Sequence, residues 1–191
     1  LAQAHGKDVW IEKTPRHVLH ARRIGRAIPG LLCVHMVRRG EDVVASIVDR
    51  AHRFPDRFPR QTDPDYGVHQ WNQSIRATQL AIEDPGHAVV FYDGLVGDVE
   101  GTMRALCAVA GLGFEPALLT QADATAFTSA KEEWKSQVGA PIRPAESKFE
   151  GLFPEDIRIR ITQALSTEIL LRLKELASRE PGGVFFSGSG G

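Results

Sequence analysis

Residues 31–46 read Leu31-Leu32-Cys33-Val34-His35-Met36-Val37-Arg38-Arg39-Gly40-Glu41-Asp42-Val43-Val44-Ala45-Ser46. The first seven form an apolar run with the length and β-branched content of a buried strand. Gly40 interrupts the run. Glu41 and Asp42 suit the first turn of a helix, where carboxylates meet the positive end of the helix dipole. Val43, Val44 and Ile47 give that helix an apolar face, so the unit is strand, tight turn, helix. Arg38 falls at the carboxyl end of the strand, where open α/β sheets bind ligands. Ser46 falls about a turn and a half into the helix and one turn after Asp42. In such a unit a guanidinium, free helix N–H groups and a hydroxyl can converge on one phosphate. The same spacing also suits a surface arginine and an ordinary helix serine.

Upstream, Val9-Trp10-Ile11 reads as a short strand, and residues 16–28 carry helical spacing through Val18, Leu19, Ile24 and Ile28. The first fifty residues therefore alternate strand and helix, the grammar of a parallel sheet. Downstream, Pro55, Pro59 and Pro64 make residues 53–65 an exposed excursion, suited to shaping a pocket or simply tolerated. Helix is expected over 66–83, strand over 88–92 and helix over 98–110. Residues 113–151 read as irregular, with at most a short helix near 116–121. A single long helix is expected over 156–178, ended by Pro181-Gly182-Gly183. These elements predict one domain over 1–181 and a flexible tail over 182–191.

At 191 residues, with 42% apolar and 25% charged residues, the chain has the composition of an ordinary soluble globular domain. No run approaches the roughly 18 apolar residues of a membrane span. Cys33 and Cys107 both lie in apolar runs and read as core residues of a reducing, cytoplasmic setting, not as a disulfide or metal pair. The net charge of −1 hides an asymmetry. Residues 1–60 hold 12 Lys and Arg against 6 Asp and Glu, and the remainder 11 against 18. A basic segment in a near-neutral protein suggests a local anion site and not a nucleic-acid surface.

Three segments, in this order, resemble the sulfotransferases that use 3′-phosphoadenosine 5′-phosphosulfate: Trp10-Ile11-Glu12-Lys13-Thr14-Pro15 with His17, Val37 to Ser46, and Phe91-Tyr92-Asp93-Gly94-Leu95-Val96. Ser147-Lys148-Phe149 with Leu152 is a fourth, weaker likeness. The resemblance implies a three-layer α/β sandwich with a mainly parallel sheet of the P-loop nucleotide-kinase type. It implies that Arg38 and Ser46 hold the cofactor's 3′-phosphate, that Tyr92 sits near the nucleotide, and that Lys148 reaches its phosphates. It implies no metal, and an acceptor hydroxyl or amine on a small molecule or carbohydrate.

Sulfuryl transfer needs a base for the acceptor's proton and positive charge on the leaving oxygen. By resemblance Glu12 is the base, His17 the competing base, and Lys13 the cation. Two departures stand out. The family's phosphosulfate-binding loop does not precede Glu12, so the fold is expected to be N-terminally truncated and the chain itself weakly active. Gly40 replaces the proline usual two positions after the arginine. Residues 94–102 follow a strand and open a helix, but Asp98 and Glu100 would repel a phosphate, so they read as a connection. A related nucleotide or small-molecule kinase, and a non-catalytic nucleotide-binding module, are the alternative functions.

Overall fold

The computed structural model describes residues 6, 8–120 and 146–188. A 3₁₀ turn, Pro15–His20, leads into α1 (Ala21–Ala27), β1 (Cys33–Val37), α2 (Gly40–Arg53), α3 (Pro64–Ala81) and β2 (His87–Phe91). Then follow α4 (Tyr92–Gly97), α5 (Val99–Val109), a second 3₁₀ turn Pro116–Leu119, α6 (Phe149–Leu152), α7 (Glu155–Ala164), α8 (Thr167–Ser178) and β3 (Val184–Ser187).

The sheet is mixed, in the order β1-β2-β3. β1 and β2 are parallel, with Cys33 beside His87 and Val37 beside Phe91. β3 runs antiparallel to β2, with Val184 beside Val90. All five residues of β2 are buried, as a strand covered on both faces requires. Its alternate side chains enter two cores. Val89 and Phe91 join Val37 under α2, α3, α7 and α8. Ala88 and Val90 join Val184, Leu95, Ala105 and Leu106 under α4 and α5. Helices thus lie on both faces of the sheet, which gives the three layers.

Local chemistry sets the helix starts. Asp63 caps α3 by accepting from Asp65 N–H at 2.9 Å, with Pro64 in the first turn. Asp98 caps α5 by accepting from Gly101 N–H at 2.8 Å, so its carboxylate occupies the helix start that a phosphate loop would offer to an anion. α2 and α3 approach closely at Gly67, where a Cβ would lie 3.3 Å from the Val44 Cα.

Three expectations are corrected. Val9-Trp10-Ile11 is not a strand: the three are 49%, 65% and 83% exposed. A strand needs a neighbour's backbone, and among the described residues β1 pairs with β2 alone. The expected helix over 156–178 is two helices, broken at Leu165 and Ser166. There Asn72 of α3 donates to Ala164 O at 2.8 Å and accepts from Ser166 N–H at 2.8 Å. These bonds hold the freed backbone groups, so the apolar spacing continues while the helix axis does not. Third, residues 184–187, inside the expected tail, form β3. Two further boundaries shift: the expected helix over 16–28 begins as a 3₁₀ turn, and residues 92–97 form a short helix that takes in Tyr92, expected at the strand end, and the first part of the connection expected over 94–102. No helix of the described residues is long and apolar enough to cross a membrane.

Candidate active site

Arg38 leaves β1 at its carboxyl end. Its carbonyl accepts from the Trp71 indole N–H at 3.0 Å, which fixes the turn to the buried face of α3. Its guanidinium carbon lies 4.5 Å from the Tyr92 ring centroid, a cation–π contact between the ends of β1 and β2. These two strands are parallel neighbours, so both residues emerge at the same edge of the sheet.

The next turn can be tight because Gly40 opens α2 with no side chain. A Cβ there would meet Leu165 Cδ2 at 2.7 Å and Trp71 Cδ2 at 3.1 Å. Gly40 in this chain is therefore a packing requirement as well as a departure from the family's proline.

Along α2, Asp42, Ser46 and Asp49 share one face by their spacing of four and three. Asp42 is 8% exposed. Its Oδ2 lies 3.7 Å from Arg38 Nε, an ion pair too long for a hydrogen bond. Arg38 Nε is itself buried and has no hydrogen-bond partner among the described residues. Asp42 Oδ1 accepts from Ser147 Oγ at 2.6 Å. Asp49 Oδ2 accepts from Lys148 Nζ at 2.6 Å and pairs with Arg53 at 3.2 Å. The Lys148 hydrogen bond, followed by the charges of Lys148, Arg53 and His52, holds the Asp49 carboxyl below the usual range despite partial burial. Ser46 is exposed between these two carboxylates. The structure thus brings Arg38 together with Tyr92, and brings Lys148 to the same helix face as Ser46.

Glu12 and Lys13 lie in an exposed segment leading into the first 3₁₀ turn, and His17 is exposed within that turn. Thr14 Oγ1 donates to Glu12 Oε1 at 2.6 Å, and His17 Nδ1 lies 2.9 Å from Glu12 Oε2. The Thr14 bond leads in holding the Glu12 carboxyl below the usual range, with His17 and then Lys13 adding to it and desolvation opposing. The two competing bases are therefore one bonded pair. The 3₁₀ turn that carries His17 packs on α3, the helix whose Trp71 also anchors Arg38.

The sequence reading missed Asp42, Asp49, Trp71 and Ser147 as partners of these groups. The spacing of Asp42, Ser46 and Asp49 was a usable signal for one helix face. The contact of Ser147 with Asp42, 105 positions apart, leaves no periodic trace.

Comparison with known proteins bears on the whole arrangement. None of the curated proteins compared matches the chain. Among solved structures it is similar to the sulfotransferase domain from the curacin biosynthetic pathway, with a TM-score of 0.53 and 16% identity. That match covers 86% of this chain and 68% of that domain, and at this identity it shows the fold alone. A model of the sulfotransferase family matches residues 1–116, a span that holds Glu12, Lys13, His17, Arg38, Ser46 and Tyr92 but not Lys148. With more than half of its length matched, the chain belongs to the sulfotransferase family.

Proposed function

We propose that the protein transfers a sulfuryl group from 3′-phosphoadenosine 5′-phosphosulfate to an acceptor hydroxyl or amine on a small molecule or carbohydrate. The observation that carries this reading is Arg38. Its guanidinium is stacked on Tyr92 at the sheet edge, and its buried Nε lacks a hydrogen-bond partner among the described residues. A buried guanidinium N–H left in that state favours an anionic acceptor, because an unsatisfied buried donor is costly. Arg38 and Ser46 would hold the 3′-phosphate, Tyr92 would fix the plane of the guanidinium, and Lys148 would add a mobile positive charge.

The bound nucleotide supplies the sulfuryl group. The residues of this chain handle the acceptor's proton and the local charge. As the acceptor oxygen or nitrogen bonds to sulfur, its proton must leave, and the sulfur–oxygen bond to the nucleotide breaks. The Glu12–His17 pair takes that proton in this reading: Glu12 holds the ring through Nδ1, and His17 Nε2 would meet the acceptor. In the neutral ring, an Nδ1–H donated to the carboxylate leaves Nε2 as the acceptor. Lys13, next to Glu12, offers positive charge to the departing oxygen. Lys13→Ala should lower turnover by about tenfold or more while nucleotide affinity changes little. An unchanged rate would remove Lys13 from the mechanism.

A further inference from the structure

The α2 face that carries Ser46 is bracketed by two carboxylates with different partners. Asp42 is buried, and each of its oxygens has its own partner. Oδ1 accepts from Ser147 Oγ at 2.6 Å, while Oδ2 faces Arg38 Nε at 3.7 Å. A carboxylate at 8% exposure requires such compensation. Asp49 is less buried, and its partner Lys148 keeps 54% of its side chain in solvent. Exposed pairs of this kind contribute little net stability, so they exchange readily. Of the two contacts, Ser147 to Asp42 is the anchor and Lys148 to Asp49 is the exchangeable one.

We infer that Asp42 is a positioning residue that ties Ser147, and with it Lys148, to the Arg38 guanidinium, so that one carboxylate sets both halves of the anion-binding face. The inference rests on the functional reading given above and extends it to residues outside the family-matched span. Asp42 holds the backbone at Ser147 beside α2. Lys148, one residue later, then rests on Asp49. Asp49 lies three positions from Ser46, one helical turn along the same face. A lysine stem anchored at its base needs only to swing its ammonium from Asp49 toward the Ser46 hydroxyl when an anion arrives. Without the Ser147 bond, the lysine loses its fixed starting point and Asp42 loses the partner that shares its charge with Arg38.

The test is calorimetry of adenosine 3′,5′-bisphosphate and adenosine 5′-phosphate, read as the ratio of their affinities. Ser147 is exposed on a loop, so its variants are expected to fold. Ser147→Ala should lower the ratio about tenfold, the worth of one hydrogen bond to a charged group. Ser147→Thr, which keeps the hydroxyl, should restore it. In an Asp42→Ala background, Ser147→Ala should bring no further loss, because the shared partner is already gone. A purely structural role would weaken both nucleotides alike and leave the ratio unmoved. A wild-type preference that survives Ser147→Ala, or fully additive losses in the double variant, overturns the inference and leaves the functional reading standing. Equal wild-type affinities overturn the functional reading and the inference together.

Discussion

His17 Nδ1 lies 2.9 Å from Glu12 Oε2, and the same carboxylate accepts from Thr14 Oγ1 at 2.6 Å. The family resemblance alone made Glu12 and His17 rivals for one role. Bonded to each other through Nδ1, they form a unit in which Nε2 is the ring nitrogen proposed to meet the acceptor. His17→Gln should lower turnover by about 100-fold, within the usual range for a general base. Glu12→Gln should lower it less, by about tenfold, since the ring stays but loses its orienting partner. The double variant should be no slower than His17→Gln alone. Steady-state rates at fixed nucleotide saturation check this, and multiplied losses would show that the two act separately.

Tyr92 is expected to act through Arg38. Its ring lies 4.5 Å from the guanidinium carbon, a contact that contributes about 0.5–2 kcal/mol depending on desolvation. Tyr92→Leu should weaken binding of a 3′-phosphorylated nucleotide by a factor of roughly 2–30. Tyr92→Phe, which keeps the aromatic face, should cost little. Equal losses in the two variants would assign the role to the phenol hydroxyl instead.

Gly40 has no room for a methyl group between Leu165 and Trp71. Gly40→Ala should therefore destabilise the fold by about 1–3 kcal/mol, the usual range for overpacking, readable as a lower midpoint in urea. Because Trp71 also holds the Arg38 carbonyl, nucleotide affinity should fall in the same variant. Unchanged stability would mean that Leu165 gives way more freely than its surroundings suggest.

Away from the site, His35 sits buried between Thr78 Oγ1 at 3.1 Å and His87 Nδ1 at 3.0 Å. Burial first, and the neighbouring His87 second, hold its pKa down to about 4. In the unfolded chain the value is about 6.5. Between these values the unfolded state binds more protons, so stability is intact above about pH 6.5 and is lost as pH falls toward about 4. The slope from this one group is at most about 1.4 kcal/mol per pH unit. Denaturant midpoints measured from pH 7 to pH 4.5 should show the decline. His35→Gln should flatten it while lowering stability at pH 7 by about 1–3 kcal/mol, the cost of disturbed buried bonds. A variant with the wild-type slope would place the acid sensitivity elsewhere.

How much was legible in the sequence depends on how local the cause was. The strand, turn and helix over residues 33–53 follow from apolar spacing and from Gly40 and lie where they were read, with Arg38 at the strand end and Ser46 on the helix, but the strand is not buried as its composition suggested: Val34 and Met36 are 47% and 52% exposed, so only one of its faces is covered. Val9-Trp10-Ile11 has strand composition but no strand beside it among the described residues, and pairing is a tertiary fact. The break at Leu165 and Ser166 depends on Asn72, more than 90 positions away, and apolar periodicity continues straight through it. β3 is short, sits among glycines and is specified by its pairing to β2. Within the candidate site, the residue types were visible, whereas the partners that orient them, Asp42 with Ser147 and Trp71 with the Arg38 carbonyl, are long-range contacts with no sequence signal. Residues 121–145, part of the stretch read as irregular, lie outside the described residues.

The central claim is that Arg38 and Ser46 form a site for a 3′-phosphate, and paired calorimetric titrations test it most directly. Adenosine 3′,5′-bisphosphate should bind more tightly than adenosine 5′-phosphate by about 1.5–3 kcal/mol, the contribution of a hydrogen bond to a charged group. Arg38→Ala should erase that difference while leaving the weaker affinity for adenosine 5′-phosphate nearly unchanged. Equal affinities of the wild-type protein for the two nucleotides, or a preference that persists in Arg38→Ala, would contradict the account.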